Sequence, residues 1–261
     1  MTITASIVSH GHGALVEALL HALAVLGEPR LRRVIVTFNV PEPASAHRIR
    51  RGAWPFEIEL IDNARPQGFG ANHNQAFDRD AQRGASDLLA VINPDIQLPG
   101  NPFAPLCAAL ARAPRAGLAY PRQIGADGRP QDFERRVPTP ARLWRRYARA
   151  GRAPELAAGQ APEWVNAAFV LLRRPAWTAV GGFDAGYRMY CEDVDLCLRL
   201  QLAGWRLVRA DDAVVGHAGQ RASHRDARHF IWHLGSLLRL WRSAAWRDWR
   251  RRSRAEPAAP K

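Results

Sequence analysis

The chain has 261 residues, of which 47% are hydrophobic and 23% are charged, a composition typical of a folded globular protein and not of a disordered one. Its formal net charge of +13 favours anionic partners such as phosphates, nucleic acid or acidic lipid headgroups. Three irregularly spaced cysteines argue against a disulfide framework and a Cys-rich zinc site. The N-terminus lacks a signal-peptide pattern and no window has the length of an apolar membrane span, so we expect a cytoplasmic protein.

The first third of the chain alternates short β-type runs with helix-type runs. This rhythm predicts parallel strands joined by helical crossovers, and such an α/β sheet binds its ligand at the carboxyl ends of the strands. The predicted strands are Ile3–Ser9, Arg33–Phe38, Phe56–Ile61 and Asp87–Ile92, and the predicted helices are Ala14–Leu26 and Asn72–Arg83.

A loop-dominated segment from Pro121 to Gln160 is predicted next, because this stretch is rich in Arg, Pro and Gly. A second ordered block and a basic tail follow. Their predicted elements are the strands Phe169–Arg173 and Arg206–Arg209 and the helices Glu192–Ala203 and Asp226–Arg254. We expect a first domain over residues 1–222 and a basic helical extension over residues 223–261.

The tail has an amphipathic pattern with many arginines. Apolar residues recur at helical spacing at Phe230, Leu234, Leu237, Trp241 and Ala245. An interfacial helix on an anionic membrane needs this pattern, and so does a helix that packs on the first domain and exposes an arginine face to solvent. Both readings stay open at this point.

Asn93-Pro94-Asp95 stands where a buried strand is predicted to stop. The Asp95 carboxylate would project into the ligand crevice, where it suits a hard divalent cation. The alternative is an ordinary turn, because Asn-Pro-Asp is good turn chemistry anywhere. The position after an apolar strand favours the functional reading.

Three carboxylates lie in the first turn of the predicted helix that starts at Glu192. Acids at a helix N-terminus complement the helix dipole, and we expect Asp195 to pair with Arg199 one turn later. Glu192 and Asp193 stand at the very start of the helix after a Gly-rich aromatic approach, where a carboxylate can face a cleft. A general base needs such a position.

Two further candidates carry weaker signals. His217 follows a probable strand end, although a lone histidine is more often structural than a ligand. The Gly-rich stretch from Gly68 to Asn74 enters a helix, so its backbone N–H groups could meet a phosphate or a sugar. It lacks both the Walker lysine and the dinucleotide-binding spacing.

Several segments occur in a characteristic order along residues 3–220. They are Ser9-His10 at the end of the first strand, Gly68-Phe69 followed by Asn74, Asn93-Pro94-Asp95, the stretch Gly117 to Arg136 with Asp127-Gly128, Gly181-Gly182-Phe183-Asp184, Glu192-Asp193-Val194-Asp195-Leu196, and Ala203-Gly204-Trp205 with His217 beyond. Together they resemble the family 2 glycosyltransferases, particularly bacterial rhamnosyltransferase-like members.

The resemblance implies a GT-A-type fold, which is a mostly parallel sheet flanked by helices, and an inverting transfer from a nucleotide-diphosphate sugar. Asp193 then matches the catalytic base. Asp95 matches the acid that binds Mn²⁺ or Mg²⁺ on the donor diphosphate, and His217 matches a metal-holding position. The donor would also meet Ser9, His10, Gly68 and Asn74.

On the acceptor side, the resemblance and the loop pattern point to Glu192, Trp164 and Asn166. The resemblance implies as acceptor a hydroxyl of a growing surface polysaccharide or lipopolysaccharide glycan, either free or lipid-linked, and as transferred sugar L-rhamnose from a thymidine diphosphate donor. If the tail helix binds an anionic membrane, the protein is peripheral on the inner face of the cytoplasmic membrane.

The chain departs from the family pattern at three places. Asn93 replaces the first acid of the Asp-x-Asp motif, Thr37-Phe38-Asn39 replaces a segment that often carries an acid, and Pro66 stands where an Asn is common. A degenerate transferase fold that only binds glycan is therefore an alternative.

Two other classes compete with the transferase. A nucleotidyltransferase would need a basic Gly-rich signature near the first strand, which Ser9-His10-Gly11-His12-Gly13 lacks. A non-catalytic nucleic-acid-binding protein would explain the sequence pI of about 11.1 but would leave the acids at Asp95, Glu192 and Asp193 without a role. We therefore expect no nucleic-acid partner.

Overall fold

The computed structural model describes residues 1–148, 156, 160–217 and 227–255. The strands are β1 Ile3–Ser9, β2 Leu31–Phe38, β3 Glu57–Asp62, β4 Leu88–Ile92, β5 Ile96–Gln97, β6 Ala116–Ile124, β7 Glu134–Arg135, β8 Trp164–Val165, β9 Phe169–Arg173 and β10 Arg206–His217. The helices are α1 Gly13–Leu26, α2 Pro43–Arg51, α3 Phe69–Gln82, α4 Phe103–Arg112, α5 Pro140–Ala148, α6 Arg174–Val180, α7 Glu192–Leu202, α8 Ala227–Arg242 and α9 Ala244–Ala255.

Eight strands form one mixed sheet in the order β3-β2-β1-β4-β9-β6-β10-β5, and β7 pairs with β8 in a small separate ribbon. β1 is parallel to β2 and β4, β2 to β3, and β6 to β10, whereas β9 runs antiparallel between β4 and β6. The carboxyl ends of β1, β2, β4, β6 and β10 therefore meet at one edge of the sheet. The predicted α/β sheet is confirmed.

Helices cover both faces of the sheet because its central strands are apolar on both sides. Leu88, Ala90 and Ile92 of β4 belong to one hydrophobic cluster with α1 and α4. Leu89 and Val91 belong to a second cluster with α6, α7 and α8. Such double burial is what a continuous apolar strand predicts. Within the described residues, no helix is long and apolar enough to cross a membrane.

Several sequence predictions need correction. α3 begins at Phe69, so the Gly-rich stretch up to Asn74 lies in the helix and not in a loop before it. The segment predicted as loop-dominated contains the end of β6, β7 and α5. β10 is one long strand that continues past a register shift between Ala210 and Val214, so it carries His217 at its end. α2, α4 and α6 were not predicted.

The basic tail folds as two helices instead of one. Ser243 separates them, and its hydroxyl accepts a hydrogen bond from the Trp246 N–H at 3.0 Å, which caps the start of α9. The domain boundary predicted at residues 222 and 223 lies outside the described residues. Leu237, Leu240 and Trp246 are buried in the same cluster as the core of α7, so the tail shares its hydrophobic core with the preceding fold.

The predicted apolar stripe of the tail does not lie on one face. Leu237 and Ala245 are buried, but Phe230 is 68% exposed and Leu234 is 47% exposed. The helix α8 therefore packs on the fold through one side and presents a second apolar face outward. Single-sequence periodicity merged these two faces because both recur at three- and four-residue spacing.

Candidate active site

Asp95 and His217 lie together at the carboxyl edge of the sheet. β5 pairs antiparallel with the end of β10, with Ile96 opposite His217, and this pairing brings the residue before Ile96 beside the histidine. Asp95 Oδ2 lies 3.5 Å from His217 Nε2. Two residues that are far apart in the sequence thus present a carboxylate oxygen and an imidazole nitrogen to the same point.

This pair has the chemistry of a divalent-cation site. Burial lowers the pKa of His217 below its ordinary value, and the Asp95 charge only partly opposes this effect, so the imidazole is neutral at physiological pH and can bind a metal. The described residues contain no group of three or more His, Cys, Asp or Glu side chains that could hold a metal. The pair fits a cation such as Mn²⁺ or Mg²⁺ that takes its remaining ligands from water or from a bound phosphate.

Glu192 and Asp193 form the start of α7. Burial raises the pKa of Asp193 to about 6, while the hydrogen bond from the Val194 N–H, the nearby Arg135 charge and the nearby Ala167 N–H oppose the rise. Burial and the Asp193 charge raise the pKa of Glu192 to about 8. Burial thus raises the pKa of both carboxyl groups, and because the two groups are adjacent, ionisation of one disfavours ionisation of the other, as is common for acid and base pairs in active sites.

The backbone immediately before α7 is strained. Tyr190 and Cys191 have φ angles of 73° and 63°, a left-handed conformation that non-glycine residues rarely adopt. One turn into the helix, Arg199 Nε donates to Asp195 Oδ2 at 2.6 Å, which confirms the predicted pair. Arg199 also donates to the Val180 and Gly182 carbonyls, so Asp195 helps to fix the helix.

The segment Asn166–Ala168 lies between the loop that carries Asp95 and the start of α7. The Asn93 N–H donates to the Ala168 carbonyl at 2.8 Å, and the Ala167 N–H lies near enough to the Asp193 carboxylate to lower its pKa. One three-residue segment therefore contacts the loop of Asp95 on one side and the start of α7 on the other. This connection places the Asp193 carboxylate on the same edge of the sheet as the Asp95–His217 pair.

Asn166 and Trp164, the acceptor-side candidates, shape this region. The amides of Asn166 and Gln123 exchange two hydrogen bonds, of 2.6 and 3.1 Å. Trp164 is buried, its indole N–H donates to the Arg136 carbonyl at 2.9 Å, and the Arg135 guanidinium lies 5.4 Å from its ring centroid. Trp164 thus helps to position the Arg135 guanidinium near Asp193. The hydrogen bonds of Asn166 position the segment Asn166–Ala168.

Ser9 and His10 end β1 as predicted. The buried Ser9 hydroxyl donates to Glu42 Oε1 at 2.6 Å, and the same carboxylate accepts the Gly11 and Gly13 N–H groups. His10 is exposed, and its Nδ1 lies 3.1 Å from the Asn39 amide nitrogen. His10 is therefore accessible at the sheet edge, whereas the Ser9 hydroxyl is engaged by Glu42.

Gly68 and Asn74 join α3 to the segment that precedes α7. A Cβ atom at Gly68 would lie 2.4 Å from the Tyr187 carbonyl oxygen, so only glycine permits this close approach. The Asn74 amide donates to the Phe183 carbonyl at 2.8 Å and accepts the Phe183 N–H at 2.9 Å. Both groups of the Asn74 amide are thus used to hold the Gly-Gly-Phe-Asp segment in place.

A profile described as "Glycosyltransferase like family 2" matches residues 2–233. The match covers the sheet, the Asp95–His217 pair and the start of α7. The chain belongs to this glycosyltransferase family.

The chain is similar to two curated relatives. It is 36% identical over 199 residues to an N-acetylglucosaminyl-diphospho-decaprenol L-rhamnosyltransferase of Mycobacterium tuberculosis, a match that covers 67% of this chain and 64% of the relative. It is 45% identical over 81 residues, or 30% of each chain, to the rhamnosyltransferase WbbL of Escherichia coli K12. The chain therefore spans less than two thirds of the length of these curated relatives.

Two solved structures have the same fold as this chain. A Staphylococcus aureus TarS fragment in complex with UDP-GlcNAc aligns with a TM-score of 0.65 at 13% identity, covering 94% of this chain and 68% of that one. A mannosyltransferase of Pyrobaculum calidifontis in complex with GDP-Man and Mn²⁺ aligns with a TM-score of 0.62 at 16% identity, covering 91% and 64%. The predicted GT-A fold is confirmed.

Sequence reasoning missed three residues of this glycosyltransferase site. Glu42 supplies a carboxylate beside the end of β1, in a region where the chain lacks the acid common after the second strand. Arg135 contributes a positive charge near Asp193, and Gln131 contacts His217. Each lies in a loop or a very short strand, where periodicity gives no signal.

Proposed function

We propose that this protein is an inverting glycosyltransferase that moves a sugar from a nucleotide-diphosphate donor to a hydroxyl group of a glycan. The observation that carries the proposal is the combination, at one sheet edge, of the Asp95–His217 pair with Asp193, a carboxylate whose raised pKa of about 6 suits a general base. Family membership supports the same reaction class.

In this reaction Asp193 accepts the proton of the acceptor hydroxyl. The acceptor oxygen forms a bond to the anomeric carbon from the face opposite the donor diphosphate, and the bond from that carbon to the diphosphate oxygen breaks. A divalent cation held by Asp95 and His217 would neutralise charge on the donor diphosphate. The raised pKa of Glu192 disfavours a second negative charge beside the base.

The finer proposal concerns the substrates. The two curated relatives are named as rhamnosyltransferases, and one of those names specifies a diphospho-decaprenol acceptor. We propose L-rhamnose as the transferred sugar, thymidine diphosphate as the donor nucleotide and a lipid-linked glycan as the acceptor, in the synthesis of a surface polysaccharide. A degenerate, glycan-binding fold is the competing possibility, and Asn93 is the feature that motivates it.

Calorimetry with a panel of nucleotide sugars, with and without Mn²⁺ or Mg²⁺, tests the donor proposal. We expect one thymidine diphosphate deoxysugar to bind at least about tenfold more tightly with the metal than without it, because a cation held by Asp95 and His217 would neutralise charge on the diphosphate. Tight binding of a uridine or guanosine diphosphate sugar instead would reject the thymidine assignment. Absence of binding across the panel would favour the degenerate fold.

We also propose that the outer face of α8 contacts an anionic membrane. Phe230, Ile231, Leu234 and Leu238 form an exposed apolar stripe on this helix. Residues 227–255 contain eight arginines and a single acidic residue, Asp248. An apolar stripe with surrounding cations is the pattern of a helix that lies in the interface of an anionic bilayer.

α8 is attached to the segment that precedes the candidate catalytic residues, so a membrane contact of this helix would affect the position of the site. Ser236 Oγ donates to the Met189 carbonyl at 2.7 Å, Arg239 forms a salt bridge with Asp184 at 2.8 Å, and the Arg188 guanidinium lies 4.8 Å from the Trp232 ring. The helix is thus fastened to the segment that leads directly into Glu192. A membrane-bound α8 would hold the catalytic edge close to a lipid-linked acceptor, on the cytoplasmic face.

Co-sedimentation of the intact protein with vesicles tests this contact. We expect binding to phosphatidylglycerol-containing vesicles at low salt, weaker binding at high salt, and a loss of about tenfold in Phe230→Ser/Leu234→Ser, because two apolar side chains no longer enter the interface. Val25→Ser is the matched control, since Val25 is 90% exposed on α1. Equal binding of the double variant and the parent protein would reject α8 as the contact.

A further inference from the structure

The side chain of Gln131 forms two hydrogen bonds with His217. Its Nε2 lies 2.6 Å from the His217 carbonyl oxygen, and its Oε1 lies 2.9 Å from His217 Nδ1. Gln131 itself follows a tight turn, in which the Gly125 N–H donates to the Arg129 carbonyl, and its own backbone N–H donates to the Gln123 carbonyl. The side chain is therefore presented from a loop anchored at the end of β6.

These two contacts determine which imidazole nitrogen carries the proton. A carbonyl oxygen only accepts hydrogen bonds, so the amide nitrogen of Gln131 must face the His217 carbonyl. The amide oxygen then faces Nδ1, and because this oxygen also only accepts, Nδ1 must carry the hydrogen. Nε2 is left with a free lone pair, and Nε2 is the atom that lies 3.5 Å from Asp95 Oδ2.

A free lone pair beside a carboxylate is unfavourable unless a proton or a metal cation lies between the two atoms, and Nε2 can accept either because the Nδ1 hydrogen is held by Gln131. The second hydrogen bond of a metal-bound histidine commonly fixes its tautomer and its orientation, and loss of that partner weakens metal binding by about 10- to 100-fold. Gln131 supplies such a bond here. The orientation of the Gln131 amide is set by the backbone of His217 itself, so the tautomer does not depend on the metal being present.

We propose that Gln131 is a positioning residue that holds His217 in the Nδ1–H tautomer, with Nε2 directed at the cation site beside Asp95. This inference rests on the proposed metal-dependent function and adds to it a residue outside the metal ligands. Within the described residues no third His, Cys, Asp or Glu joins the Asp95–His217 pair, so the orientation of the His217 ring matters directly for cation binding.

The test compares two substitutions with opposite chemistry. Gln131→Met removes both contacts at similar size. Gln131→Glu keeps an oxygen that accepts the Nδ1 hydrogen but loses the donor to the His217 carbonyl. Gln97→Met is the matched control, because Gln97 is exposed on β5 and pairs with Gly216 next to His217.

Two measurements are made on each protein. Nitrogen-15 NMR of the metal-free protein reports the histidine tautomer, with the His217 signals identified by their loss in His217→Ala. Calorimetry with Mn²⁺ in the presence of a donor nucleotide reports the metal affinity. We expect the parent, Gln131→Glu and Gln97→Met to show the Nδ1–H tautomer and affinities within about threefold of one another. We expect Gln131→Met to populate the Nε2–H tautomer and to bind Mn²⁺ about tenfold more weakly.

The outcomes separate the two proposals. An unchanged tautomer in Gln131→Met, or an equal loss of Mn²⁺ affinity in the Met and Glu variants, would overturn the positioning role. If Gln131→Met does not fold, the tautomer of Gln131→Glu decides, and an Nε2–H signal there overturns the proposal. If the parent protein shows the Nδ1–H tautomer but binds no Mn²⁺, the proposed metal-dependent function fails while the positioning role stands.

Discussion

Asp193→Asn is expected to lower the rate of sugar transfer by about 10²-fold or more, while the dissociation constant of the donor changes by less than about threefold. The amide keeps the size and most hydrogen bonds of the carboxylate but cannot take the proton of the acceptor hydroxyl. Transfer is measured as product formed at saturating donor, and donor binding by calorimetry. Near-parental turnover would remove Asp193 from the role of base.

The matched control is Asp211→Asn, which makes the same exchange at an exposed carboxylate paired with Arg209. We expect its turnover to equal that of the parent protein. A similar loss in both variants would indicate a general effect of the changed charge and not a missing base. Thermal unfolding of both variants checks that the fold is intact.

The pH profile provides an independent readout of the same group. Only the ionised form of Asp193 can act as a base, and burial raises its pKa to about 6. Transfer should therefore be full above this pKa and fall as the pH drops through about 6, higher than an ordinary aspartate would give. Asp193→Asn should lose this acid limb, and a limb near pH 4 in the parent protein would contradict the burial argument.

The sequence predicted the parts of the fold that local pattern determines. β4 is apolar over its whole length and ends at Ile92 as expected, because a buried parallel strand has a continuous apolar run with a polar stop. The pairing of Asp195 with Arg199 was equally predictable, since it depends only on the geometry of one helical turn. Motif order was sufficient for the family because the segments stand in a fixed succession.

The sequence could not predict the contacts that depend on pairing between strands and loops far apart in the chain. β10 continues past a register shift, and its end pairs with the two-residue strand β5, so the meeting of Asp95 and His217 depends on strands that no periodicity identifies. The same holds for the side chain of Gln131, which reaches His217 across 86 positions of the chain. Local propensity carries no information on such contacts.

The tail shows a different reason for a partial prediction. Its pattern was assigned correctly as helical, but Leu237 packs inward while Phe230 and Leu234 face outward. Amphipathic spacing gives the period of a helix and does not tell which of two apolar faces meets the core. One side of the helix packs on the fold, and a membrane contact of the other side stays a prediction.

Asp95→Asn is expected to weaken donor binding in the presence of Mn²⁺ by at least about tenfold and to remove most of the difference between binding with and without the metal. Asp95 contributes the carboxylate of the pair with His217, and because Asn93 is neutral, no second acid of this motif can compensate. A neutral amide oxygen attracts a hard divalent cation less than a carboxylate does. The exchange keeps the size of the side chain, so a loss of affinity reports the charge.

Calorimetry of the donor nucleotide at fixed Mn²⁺, and again with a chelator, measures this effect, with Asp211→Asn as the control that should match the parent in both conditions. Binding without metal should be unchanged or slightly tighter in Asp95→Asn, because the carboxylate no longer repels the diphosphate. This opposite sign in the two conditions is specific to a metal-bridging carboxylate. Equal weakening with and without metal would instead show that Asp95 supports the donor pocket through its structure. Asp95 would then be excluded as a metal ligand.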